Sequence, residues 1–247
     1  MAFAPNAFSS SAIDNGAPNA EQNSILLSVQ VVGAIVITGL LLTVISTFGE
    51  SFVKIKSSLI YKNIKLNNKP KYQFYVSTIL PVILFSTLVF TLSIIIVIIF
   101  DFVGLLGYKS NIIDWTNVQY GYLLLSIITT ITLGISIALL ISSISKTMNV
   151  YTALTWAYLF LIFFFGGSSV PIFLIRGDDP LEAFMYLSFV VPNTFSNFLF
   201  INSMSGQVDF GVTDTLKKVV MYLDVIMPIF ISILFIGIRY PLIKKFG

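Results

Sequence analysis

The sequence predicts an all-α, polytopic membrane protein. It is expected to have five transmembrane helices, a cytoplasmic amphipathic helix and an outer re-entrant helical hairpin. Five apolar stretches carry the prediction: 25–48, 74–100, 119–142, 150–175 and 219–243. At about 1.5 Å rise per residue, about 20 residues cross the hydrocarbon core, and each stretch reaches that length. The first two are free of charge, with no charged residue between Ile25 and Thr47 or between Tyr72 and Phe100. A soluble core helix is shorter and keeps a polar face.

Composition closes most other classes. Hydrophobic residues make up 56% of the chain and charged residues 10%, against about 25% charged in soluble domains. The net charge of +3 is too sparse and too segregated to form a nucleic-acid surface. The absence of cysteine excludes disulfides, iron–sulfur clusters and thiol chemistry. The absence of histidine removes the commonest metal ligand and general base. No catalytic, cofactor-binding or metal-ligating set emerges from what remains.

Residues 1–23 form a polar strip rich in Ala, Ser, Asn and Pro, and the rest, 24–247, reads as one transmembrane domain. The strip lacks the basic start and apolar core of a signal peptide. An exposed amino-terminus without a signal fits a further spanning helix preceding this segment. Orientation follows from the loops. Segment 49–72 carries Lys54, Lys56, Lys62, Lys65, Lys69 and Lys71 against Glu50, turn 143–149 carries Lys146, and the tail carries Arg239, Lys244 and Lys245. Loop 101–118 has Asp101 and Asp114 against Lys109. Loop 176–218 has Asp178, Asp179, Glu182, Asp209 and Asp214 against Arg176, Lys217 and Lys218. Loops rich in Lys and Arg stay inside, so the amino-terminus is expected outside and the carboxy-terminus in the cytoplasm.

Within 49–72, Phe52, Val53, Ile55, Leu59, Ile60, Ile64 and Leu66 fall on one side of a helix. Lys54, Ser58, Lys62 and Lys65 fall on the other, with Lys56 as the exception. Such a helix either lies on anionic lipid or docks a cytoplasmic partner. The third span repeats a small residue every fourth position: Ser126, Thr130, Gly134, Ala138 and Ser142. That flat seam lets another helix approach closely, within this subunit or at a dimer interface or substrate path. Segment 181–201 is apolar but holds Glu182, Pro192, Asn193 and Asn197. A sixth span there would put the basic tail outside. The alternatives are two short helices that dip into the outer leaflet, broken near Val191–Asn193, or a hairpin on the outer surface. Asp224 is the charged residue placed well within a span, near its outer end, and Arg239 sits where it can snorkel.

In order, these elements resemble the permease subunit of ABC type-2 exporters. The matching runs are Ser46-Thr47-Phe48-Gly49-Glu50 leading into 52–66, then Val76 to Pro81, and Leu133-Gly134-Ile135 in the next inward span. Phe163 to Pro171, with its Gly166 and Gly167, and Val191-Pro192-Asn193-Thr194 match the outer region. The resemblance covers nearly all of 25–245. It implies an ATPase-coupling role for Glu50, Phe52, Ile55, Leu59, Ile60 and Ile64, and an outer re-entrant region at Gly166, Gly167, Pro171, Pro192 and Asn193. It implies a separate cytoplasmic ABC ATPase carrying the ATP and magnesium, a second permease half, and a bacterial cell membrane. The chain departs from the family in showing five spans rather than six, and in having Lys56-Ser57-Ser58-Leu59 where a Gly-Thr pair is common. No Gly-x-x-x-x-Gly-Lys-Ser/Thr loop occurs, so ATP cannot be cradled here in that manner. The rival readings are an intramembrane enzyme and a secondary carrier. Gly166-Gly167-Ser168-Ser169-Val170 lacks the last glycine of a nucleophile elbow, and the membrane interior is poor in the ionisable groups that carriers use.

Overall fold

The chain lays its apolar stretches into helices, and among the described residues there is no strand. The computed structural model describes residues 20–56, 58, 71–106, 113–166, 190–205 and 223–238. Its helices are α1 (Ala20–Lys56), α2 (Lys71–Val103), α3 (Tyr120–Ile144), α4 (Met148–Phe165), α5 (Asn193–Ser205) and α6 (Leu223–Ile238). Four of them, α1 to α4, are long and apolar enough to cross a membrane. The fifth predicted span is represented by α6, whose described part is shorter; α4 ends at Phe165, and the rest of the predicted fourth span, 167–175, lies outside the described residues.

The helices divide into a centre and a periphery. Of the most apolar window, 56% is buried in α1 and 61% in α3, against 22% in each of α2 and α4. The outward faces of α2, α4 and α6 carry large apolar side chains, among them Leu84, Leu88, Ile96, Trp156, Phe160, Phe230 and Ile233. A continuous surface of this kind is untenable in water and matches lipid tails. Many hydroxyls within the spans are satisfied by their own helix: Thr43 donates to the Gly39 carbonyl (2.8 Å), Thr91 to Thr87 (2.8 Å) and Ser136 to Leu133 (2.7 Å). This is how a span carries Ser and Thr where no water reaches. The chain is therefore a multi-pass helical protein with the surface of a membrane protein.

Helix ends follow from local chemistry. Pro81 sits within α2 on an exposed side, and the helix continues through it. At its far end Gly104 takes φ 79°, the Leu105 N–H donates to the Phe100 carbonyl (2.8 Å) and the Gly104 N–H donates to Asp101 (3.1 Å). That pair of bonds around a left-handed glycine is the Schellman stop. A short turn joins α3 to α4. The Ser145 hydroxyl donates to Ile141 (2.8 Å), and the Thr147 hydroxyl caps α4 by accepting from the Val150 N–H (3.5 Å). α1 and α3 run in the same direction, and α4 returns beside α1, where Tyr151 meets Ile45.

Candidate functional site

The least ordinary element is α5. Its 13 residues span about 20 Å, too short for a hydrocarbon core of about 30 Å. Yet nearly all of it is buried, polar residues included: Asn193, Thr194, Ser196, Asn197 and Ser203 are all at most 1% exposed. It lies against α1 and α3. The Gln119 N–H donates to the Ser203 carbonyl (2.9 Å), Ser196 meets Thr129 (3.5 Å between hydroxyls) and the Asn193 amide reaches Thr38 (3.5 Å). Thr129 stands ten positions beyond Gln119, so the amino-terminus of α5 sits about 15 Å deeper along α3 than its carboxy-terminus. It is a half-length helix, antiparallel to both neighbours, beginning near mid-bundle at Val191–Asn193. The Oδ1 atoms of Asn193 and Asn197 accept no hydrogen bond.

Gly33 permits this seat. A Cβ there would lie 2.8 Å from Asn197 Oδ1, 2.9 Å from the Phe200 ring and 3.2 Å from Ile201. The close approach buries the polar face of α5 against backbone rather than lipid, the condition for tolerating irregular chain at that depth. Sequence reasoning singled out Pro192 and Asn193, which the structure places at the start of α5, both buried. It missed Gly33; a glycine inside an uncharged span was the available signal. Gly166 closes α4, its N–H donating to the Ile162 carbonyl (2.7 Å). Gly167 and Pro171 lie outside the described residues.

The small-residue seam of α3 points inward. Ser126, Thr130, Gly134, Ala138 and Ser142 are all buried within the chain. At Gly134 a Cβ would come within 2.8 Å of Val44 Cγ1, 2.9 Å of Val44 Cβ and 3.3 Å of Leu41. The seam thus sets the closest approach of α3 to α1, where dispersion between closely packed backbones holds membrane helices together.

The residues of 49–72 divide differently. Glu50, Phe52 and Ile55 belong to the last turns of α1, which runs unbroken through Lys56. Phe52 is buried and stacks on Phe48, ring centres 6.0 Å apart, so its ring is committed to packing inside the chain. Glu50 pairs with Lys54 at 3.6 Å, both largely solvent-facing, a contact worth little by itself. Leu59, Ile60 and Ile64 lie outside the described residues. Within these turns Gly49 lies against Tyr151 of α4, whose buried hydroxyl donates to the Ile45 carbonyl at 2.6 Å.

Three acids have settings that charge counting could not reveal. Asp101 is fully buried at the last turn of α2, where the helix dipole disfavours a carboxylate. It accepts from the Trp115 indole (2.9 Å) and the Ile113 N–H (3.3 Å), binding the following loop to the helix end. Asp114 orders that loop, accepting from the Thr116 hydroxyl (2.5 Å), the Asn117 amide (2.6 Å) and the Thr116 N–H (3.1 Å). These donors, the Thr116 hydroxyl first, hold its carboxyl below the usual carboxylate range. Asp224, near the start of α6, is buried, and neither of its oxygens accepts a hydrogen bond.

Among the described residues no three acidic side chains come together to hold a metal. The described residues offer a polar half-helix seated among apolar helices, and a long first helix leaving the bundle at the opposite end. Compared with protein-family profiles, with characterised proteins and with solved structures, the chain matches none.

Proposed function

We propose that this chain is the membrane-spanning subunit of an ATP-driven exporter, working with a separate cytoplasmic ATPase and a second permease half. The length of α1 is the observation that carries the reading. Its 37 residues extend about 55 Å, well beyond a hydrocarbon core of about 30 Å. Apart from Glu21 in its first turn, its charged residues, Glu50, Lys54 and Lys56, lie at the carboxy-terminal end. In this reading that end projects beyond the lipid on the side that the positive-inside rule assigns to the cytoplasm, the side of the basic turn holding Lys146. A stalk continuous with a central helix is what a partner needs in order to push on the bundle. With no phosphate loop in the sequence, the energy for that push enters from another chain.

In this reading the stalk and the segment after it receive the ATPase, and α1, α3 and α5 form the element whose two packings open the path to alternate sides. A secondary carrier is the second reading, favoured by α5, since carriers bind substrate at half-helices that begin near the midplane. The two separate on one preparation. The chain is purified from native membranes, copurifying ATPase is identified, and transport is followed under ATP depletion and under ionophore. Leu59→Asp is expected to abolish ATPase recovery, because a carboxylate on a dry docking face costs several kcal/mol, whereas Lys62→Ala retains it. Both positions lie outside the described residues. Transport that survives ATP depletion but stops with ionophore would assign the chain to the carriers.

A further inference from the structure

We infer that Tyr151, seated over Gly49, is a mechanical joint that makes the α1 stalk and the α3–α4 hairpin move together. The Tyr151 hydroxyl donates at 2.6 Å to the carbonyl of Ile45, a residue 106 positions away in the chain. In a regular helix the Gly49 N–H uses the same carbonyl, so the hydroxyl takes its second lone pair. A Cβ at Gly49 would overlap the Tyr151 hydroxyl and ring. Glycine inside a helix costs about 1 kcal/mol relative to alanine, so the position is held at a loss that this contact explains.

The joint lies near the end of the buried stretch of α1. Before Gly49, Val44, Ile45 and Phe48 are fully buried; after it, Phe52 and Val53 still pack inside the chain while Ser51 and Lys54 are exposed. Tyr151 is in the first turn of α4, its N–H donating to Thr147 (3.1 Å), and only Ser145–Thr147 separate α4 from α3. A sideways displacement of the stalk therefore meets a buried, hydrogen-bonded ring anchored to a tight hairpin. It does not dissipate in loose side chains. Its use in transport rests on the exporter reading; the mechanical coupling does not.

The test uses the full chain in lipid nanodiscs without any ATPase. Ser51 and Lys146, both exposed, are replaced by cysteine and spin-labelled, since the sequence has no cysteine to remove. Tyr151→Phe keeps the ring and removes the hydrogen bond, and is expected to broaden the distance distribution between the labels. Gly49→Ala is expected to lengthen the mean distance by roughly 2 Å, the shift that restores van der Waals separation. Phe160→Leu, on the exposed face of α4, is the control and should change neither. An unaltered distribution in both Tyr151→Phe and Gly49→Ala would overturn the joint even if an ATPase copurifies. A response in either variant without any ATPase partner would support the joint and leave the exporter reading to fail separately.

Discussion

Replacing Gly134 with alanine tests the packing that organises the bundle. The new Cβ would stand 2.8 Å from Val44 Cγ1 and 2.9 Å from Val44 Cβ. Ordinary carbon contacts lie at about 3.5–4.0 Å, so α3 must withdraw from α1 by roughly 0.7–1 Å. The Leu41 contact at 3.3 Å can relax by rotation, but Val44 Cβ moves only with its backbone. Overpacking of this kind costs about 1–3 kcal/mol, and the helix propensity gained by alanine returns at most about 1. A net loss of about 1–2 kcal/mol is expected. Val44→Ala removes the nearer contact and leaves the Cβ, so the double variant should recover part of the loss. Reversible unfolding in mixed micelles would measure the cycle, with a coupling of about 1 kcal/mol expected. Additivity within about 0.5 kcal/mol, or stabilisation by Gly134→Ala, would refute the close approach of α1 and α3.

Asp101→Asn keeps shape but leaves a neutral amide facing two N–H donors. Loss of a charge-assisted bond worth about 1.5–3 kcal/mol should free the loop, read as stronger quenching of Trp115 in a Trp156→Phe background. Asp114 carries a depressed carboxyl, so its contribution to loop order is present above the ordinary carboxylate value and is lost as pH falls through the lower folded value. Thr116→Ala removes the largest cause of the depression. Trp115 emission should then change at higher pH in that variant than in the parent, and coincident profiles would contradict the assignment. Single cysteines at Thr116 and Lys146, at opposite ends of α3, should label from opposite sides of a sealed vesicle, with Lys146→Cys reached from the cytoplasmic side.

Much of the bundle was legible in the linear order. Hydropathy is a sum along the chain, so the apolar runs at 74–100 and 119–142 marked α2 and α3 to within a few residues. The repeat from Ser126 to Ser142 located a buried face because four residues make nearly one helical turn. Pro192 stands immediately before the start of α5 at Asn193, a place where its missing N–H costs no helical bond. What these signals could not say is which partner each face meets. The burial of α5, as polar as it is, depends on Gly33 and Thr129, far from it in sequence. Asp101 counts as a loop charge until Trp115 folds back over it. Gly49 and Tyr151 are unremarkable letters until a ring comes to rest where a methyl group would stand. Transfer into lipid is decided residue by residue, so the sequence determined which segments are long and apolar enough to cross a membrane. Close contact between helices depends on the shapes of two surfaces at once, so only the tertiary structure decided what lies between them.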